Sequence, residues 1–254
     1  METKKLSASD IVLPYKIPDS DFTIEVLPAE KIDAAISVLT KVWRDLEPIT
    51  LWSKMSCQEL YQILHGMVTK SPGPMLSIII SNAMGEIVAV SLNREFTLEC
   101  RTFSGNPVGC LAVDLDNMYR KFYAEKKREG KVVSIEGIGV LNGNKGKGLA
   151  NYLFLASIAW AQKKGYKLTV LQASIIYTCH ICDKLGMKRI TEIKYDDYEY
   201  VDKDGRKLRP FAGLDQWFTQ ILNKRRGKGK ELITTASSCV VYEGDISKLV
   251  YKKL

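Results

Sequence analysis

Two histidines, His65 and His180, are all that the 254 residues contain. Neither stands at a recognisable spacing from a serine or cysteine nucleophile, so a Ser-His-Asp hydrolase is not expected. Cys179 and Cys182 form a Cys-x-x-Cys pair, but no second pair follows and neither Pro nor Gly separates them. That indicates neither zinc nor redox chemistry, and no metal is expected. All six cysteines are scattered, and the charged opening METKKLSASD has no apolar signal region, which leads to the expectation of reduced thiols in a cytoplasmic protein. No apolar run approaches the roughly 20 residues that cross a bilayer, so no membrane partner is expected. Internal repeats, Walker-A spacing and a GxGxxG fingerprint are missing too.

What is present suits a globular chain, with 46% hydrophobic residues. A chain of this length can bury roughly 70–75% of its unfolded surface. Residues 1–20 are polar, with Pro14 and Pro18, and read as an N-terminal arm before a single domain over 21–254. The net charge of +8 is not spread evenly. Between residues 203 and 230 nine basic side chains face only Asp204 and Asp215, and the rest of the chain is nearly neutral. This stretch also holds Phe211, Trp217, Phe218, Ile221 and Leu222, with a short helix expected in its middle. It reads as a basic insertion between two strands, a solvated lid, a steering element for an anion or a contact for an acidic partner; a nucleic-acid partner is not expected.

Along the chain, apolar periodicity predicts a mixed α/β fold. FTIEVL alternates as a strand from Phe22, and Ile32, Ala35, Val38 and Val42 follow at helical spacing. Pro48 must end that helix near Asp45–Glu47. Ser56 and Glu59 stand at capping-box spacing before a helix to Thr69. Strands MLSIIIS and EIVAVSLNREF flank a turn at Gly85, a helix is expected over 114–129, and VVSIEGIGV is the next strand. The glycine-rich LNGNKGKGLA then opens a helix with Leu149, Tyr152, Leu153, Ala156 and Trp160 on one face, ending at Gly165. LTVLQA, a helix over Ser174–Leu185 closed by Gly186, a strand RITEIKYDDYEYV and a last strand LITTASSCVVY complete the pattern.

KGKGLA at 145–150 joins a strand to a helix, so unpaired N–H groups gather there as an anion site. Gly146 and Gly148 let a diphosphate approach the backbone, and Lys145 and Lys147 add charge. This loop resembles the R/Q-x-x-G-x-G/A signature of GCN5-related N-acetyltransferases, and the element order fits that superfamily along most of residues 22–254. CDKLGM at 182–187 looks like the superfamily's Y-x-K-x-G-F ending. The resemblance implies a central mixed, mostly antiparallel sheet flanked by helices, with acetyl-CoA as cosubstrate. It implies that Lys145, Gly146, Lys147, Gly148, Leu149 and Ala150 bind the CoA pyrophosphate. Ile138, Gly139 and Val140 would hold the pantetheine and polarise the acetyl carbonyl through their backbone.

The chain departs from that pattern at Cys182, where many members carry a tyrosine acid. Animal arylalkylamine N-acetyltransferases of the insect type also lack it. They resemble this chain at Asp45-Leu46-Glu47-Pro48, at ASIIYTCHICDKLGM and at YDDYEY. The resemblance assigns Glu47 as general base and Ser174 and Thr178 as a hydroxyl relay. Ser174 reads equally well as a helix N-cap. Cys182 reads as a buried helix cysteine, and His180 as facing away from the relay. The implied activity is direct acetyl transfer to a small primary amine of the dopamine, serotonin, tyramine or octopamine class. The alternatives are a polyamine or other aliphatic amine acetyltransferase, or a non-catalytic CoA-binding protein.

Overall fold

An eight-stranded sheet forms the centre of the computed structural model, which describes residues 7–69, 76–100, 102–103, 105–226 and 236–249. Its elements run β1 (Tyr15–Lys16), β2 (Thr23–Val26), α1 (Ile32–Leu46), α2 (Pro48–Trp52), α3 (Cys57–Thr69), β3 (Ile78–Ser81) and β4 (Ile87–Glu95). Then follow α4 (Pro107–Glu125), β5 (Val132–Val140), α5 (Leu149–Lys163), β6 (Leu168–Ala173), α6 (Ile176–Leu185) and β7 (Lys188–Lys194). A small hairpin of β8 (Tyr200–Val201) and β9 (Lys207–Leu208), α7 (Leu214–Arg226) and β10 (Ser238–Asp245) close the order. The sheet reads β1-β2-β3-β4-β5-β6-β10-β7, antiparallel except between β5 and β6.

Alternate residues of the central strands feed cores on the two faces. Ile78, Ile80, Val133 and Ile135 meet Leu153, Phe154 and Ala156 of α5. Ile79, Val90 and Leu92 meet Ile36 and Leu39 of α1 and Leu60 and Leu64 of α3. Farther along the same face, Leu115 and Tyr119 of α4 cover Leu168, Val170, Cys239 and Val241.

Local signals act as the sequence leads one to expect. Ser56 N–H donates to Glu59 Oε2 at 2.8 Å and Glu59 N–H to Ser56 Oγ at 3.2 Å, closing the capping box of α3. Glu47 is extended at ψ 116°, ending α1, and Pro48 at once starts the short helix α2. That helix escapes a reading that treats Pro48 only as a breaker, since proline also suits a first helical position. Helix α4 begins at Pro107, seven residues before the expected start, because Asn106 accepts from Gly109 N–H at 2.9 Å as N-cap. The stretch RITEIKYDDYEYV is not one strand: it turns after Lys194 and resumes as β8, which pairs only with β9. The expected last strand begins at Ser238, and residues 231–235 lie outside the described residues.

Residues 1–6 of the expected arm also lie outside, but Ala8, Ile11 and Ile17 are buried and Tyr15 pairs with Ile24 in the sheet. The basic insertion is exposed over residues 203–209 and docked from Phe211 onward. Phe211, Leu214 and Phe218 are buried, Trp217 meets Trp52 of α2 edge to face at 5.2 Å, and Trp52 Nε1 donates to Pro210 O at 2.7 Å. Its charges are partly met as well: Arg206 pairs with Asp202 and Asp204, and Lys207 and Arg209 with Glu199.

Helix α1 lies very close to β5. A Cβ at Gly137 would stand 2.8 Å from Leu39 and 2.9 Å from Trp43, and one at Gly139 would stand 2.8 Å from Leu39. Gly137→Val should therefore destabilise the fold by about 1–3 kcal/mol through overfilling, read as a lower urea midpoint at unchanged m-value.

Candidate active site

The parallel pair opens partway along its length. β5 pairs with β6 only from Val132↔Leu168 to Ile135↔Leu171, while its pairing with β4 continues to Val140. Glu136 is extra at that point, because Leu92 faces Gly137 and Asn93 faces Ile135. Such a bulge bends a strand, and here it carries β5 away from β6. From the bulge onward, the edge of β5 turned away from β4 has no strand partner among the described residues.

A cavity of about 1140 Å³ fills the opening. Ile138, Gly139, Val140, Lys145, Gly146, Gly148, Leu149 and Ala150 line one part of it, Glu47 lies at the end of α1, and Ser174 and Thr178 line the β6–α6 side. The sequence candidates thus meet in one cavity, except Lys147. Its Nζ turns to Asn144 Oδ1 at 2.9 Å and stands 5.0 Å from the Phe22 ring.

The glycine loop has the form an anion site needs. Gly146 and Gly148 take φ of +79° and +73°, values that favour glycine, and an added Cβ at Gly146 would meet nothing within 4 Å. The N–H groups of Gly148, Leu149 and Ala150 find no acceptor among the described residues, at the N-terminus of a 15-residue helix. These features fit the pyrophosphate of CoA.

Glu47 is half-buried, and its side chain accepts from Thr50 N–H, so the carboxylate caps α2 while it lines the cavity. Tyr195, buried close to Glu47 and Cys239, donates to Ser174 O at 3.1 Å. Burial foremost, with Cys239 and Glu47 adding to it, holds its phenol well above the ordinary range, so the donor is permanent. Ser174 is not an N-cap: α6 starts at Ile176, its cap is Ile175, and no side chain bonds the first turn. Ser174 therefore sits before the helix, not four residues along it from Thr178.

The face of α6 toward the cavity is the stripe Tyr177, His180, Ile181 and Lys184, with Thr178 at its edge. His180 thus lines the cavity, against the expectation that it faces away. That expectation took Thr178 as the centre of the face, about 100° from the true one. The four-residue step from Thr178 leads instead to Cys182, which is 0% exposed, its thiol pushed up by burial. Sequence reasoning also missed Phe218 and Leu222 of α7 as cavity walls, and Glu136 and Gln172 where β5 and β6 part. An apolar i, i+4 pair inside the basic insertion was the available signal for the first two.

Behind the bulge lies a buried charged group. Arg94 meets Glu136 at 2.8 Å and Asp116 at 3.8 Å, and Arg120 meets Asp116 at 3.5 Å. Asp116 is pushed up to about 6, by burial first and the Glu136 charge second, with the two arginines opposing. No group of three or more potential metal ligands occurs among the described residues, and no described helix is long and apolar enough to cross a membrane.

No protein-family model matches the chain, and no curated protein does. Solved structures do. The C-terminal condensation domain of Ebony, in complex with beta-alanyl-dopamine, is similar at a TM-score of 0.66 and 13% identity over 89% of this chain and 99% of that one. The Drosophila melanogaster polyamine N-acetyltransferase, which forms N-acetylagmatine, gives 0.63 and 13% over 89% and 100%. Arylalkylamine N-acetyltransferase 2 from Aedes aegypti gives 0.58 and 17% over 89% and 99%. The chain has the fold of the GCN5-related N-acetyltransferases.

Tyr195→Phe removes the donor to Ser174 O and should cost about 1–2 kcal/mol of stability, measured by urea unfolding.

Proposed function

We propose that the protein transfers the acetyl group of acetyl-CoA to the primary amine of a small molecule, with arylalkylamines the leading class. One observation carries the reading: a single cavity runs from the glycine loop along the unpartnered edge of β5 to Glu47. Of the solved structures of similar fold, two are named as arylalkylamine and polyamine N-acetyltransferases and one is a condensation domain in complex with beta-alanyl-dopamine. Gly146, Gly148 and the N–H groups of the first turn of α5 would hold the pyrophosphate, with Lys145 adding charge. The backbone of Ile138, Gly139 and Val140 would take the pantetheine. When bound, acetyl-CoA supplies an activated thioester.

The chain's own residues then have three tasks. Backbone N–H groups on the open edge of β5 polarise the acyl carbonyl. Glu47 accepts the proton that the amine must lose, since a primary amine with a lysine-like pKa is mostly protonated at pH 7. Ser174 and Thr178 offer hydroxyls for passing a proton onward. Leu46, Ile175, Phe218 and Leu222 give the cavity apolar walls, which suits an aryl or other apolar body on the amine. Asp45, Glu47 and Glu136 in the same lining favour a second reading, a polyamine or other aliphatic diamine. Six unpaired cysteines fit a reducing, cytoplasmic setting.

Release of free CoA thiol from acetyl-CoA, followed with dopamine, tyramine, serotonin, spermidine and a lysine peptide, separates these readings. Turnover led by the aromatic amines supports the first, and turnover led by spermidine the second. Binding of acetyl-CoA without turnover of any amine would favour a non-catalytic CoA-binding protein. Glu47→Gln keeps an oxygen to accept from Thr50 N–H but cannot serve as base. It should retain acetyl-CoA affinity and lose roughly 10²–10⁴ in kcat. Unchanged kinetics would remove Glu47 from the mechanism.

A further inference from the structure

The cavity has a polar floor that none of these roles uses. Glu136 is the residue extruded by the bulge, and Gln172 is the first residue of β6 beyond the last β5–β6 pair; both line the cavity. Gln172 Nε2 donates to Ala112 O at 2.9 Å and to Asp116 Oδ1 at 2.8 Å. A backbone carbonyl can only accept, so the nitrogen of the amide must occupy that side. Oε1 is then the atom left over, and no donor among the described residues reaches it. Glu136 gives one carboxylate oxygen to Arg94 at 2.8 Å, which leaves the other as an acceptor.

Toward the cavity, the Gln172 and Glu136 side chains therefore present acceptor atoms. The floor's four charges, Arg94, Arg120, Asp116 and Glu136, balance, and the arginines stand behind the carboxylates that they pair with. An alcohol would gain little from such a floor and a carboxylate would be repelled. An alkylammonium, with three donors and no acceptor, complements it. Phe218 and Leu222 line the same cavity and suit the apolar body of such a molecule.

We propose that Gln172, with Glu136 beside it, receives the ammonium group of the acceptor amine and holds it until Glu47 takes its proton. Asp116 is a positioning residue that acts by fixing the Gln172 amide. The proposal rests on the acetyl-transfer reading of the same cavity. It adds that selection for an amine over an alcohol or acid is exerted at Gln172, before any chemistry.

Calorimetric titration of tyramine into the CoA-saturated protein tests this without turnover, with tyrosol, the corresponding alcohol, as the paired ligand. The wild type should bind tyramine at least ten-fold more tightly than tyrosol. Gln172→Leu should weaken tyramine at least ten-fold, leave tyrosol within about two-fold, and leave the Kd for CoA unchanged. Asp116→Asn keeps an oxygen for Gln172 Nε2 but gives the floor a net positive charge, and it should weaken tyramine several-fold with the same insensitivity of CoA. Equal affinity of the wild type for tyramine and tyrosol would overturn the proposal even if both variants failed to fold. So would undiminished tyramine binding by Gln172→Leu. A wild type that did not bind CoA would instead bring down the acetyl-transfer reading itself, a distinct result in the same titration.

Discussion

The separation of β5 from β6 is the constraint on which the rest depends. Two parallel strands that stayed paired would bury their edges in each other and leave no cavity. Here the ladder stops after Ile135↔Leu171 because Glu136 bulges from β5. The strand then follows β4 alone, and its open edge, the glycine loop and the start of α5 become one continuous lining. Gly137 and Gly139 matter at the same place for another reason. Without side chains they let Leu39, Val42 and Trp43 of α1 lie against β5, which brings the end of α1, and with it Glu47, to the opening.

Opening a sheet leaves polar groups without partners, and the fold answers with buried charge. Arg94, Glu136, Asp116 and Arg120 stand together where the strands part, joined to Gln172 and Ala112. Groups of this kind are seldom stabilising relative to a well-filled apolar core, since each charge gives up its hydration. Their use here is geometric. They fix a bulged residue and an amide whose orientation a hydrophobic contact could not specify. The raised pKa of Asp116 is the sign of that desolvation.

Much of this was legible because short-range rules dominate where the chain changes direction. Gly85, Gly165 and Gly186 all adopt the positive φ that their places at turn and helix ends imply, and the Ser56–Glu59 box forms as its spacing requires. The glycine loop could be found because its chemistry is carried by backbone and lies within six residues. The floor could not, since Arg94, Asp116, Glu136 and Gln172 come from four elements and only the sheet brings them together. His180 was misplaced for a subtler reason: helical spacing says which residues share a face, but not which face looks into a cavity. The aromatic positions of 203–230 announced burial, yet nothing local shows that α7 docks on α2.

That docking bears on the site itself. Helix α2 has five residues, too few to be stable alone, and it is held by Pro48 at its start, the Glu47 cap and the Trp52–Trp217 contact with α7. Glu47 therefore cannot move toward a substrate without loosening Thr50 N–H, and α7 cannot swing away without exposing Phe218 and freeing Trp52. The carboxylate proposed as base is held in place from both sides, by the helix that it caps and by the insertion packed on that helix. A flexible base would lose entropy each time an amine was engaged, whereas this one is placed before the substrate arrives. The described part of the insertion between β7 and β10 thus packs on α2 through Trp217 and walls the cavity with Phe218 and Leu222.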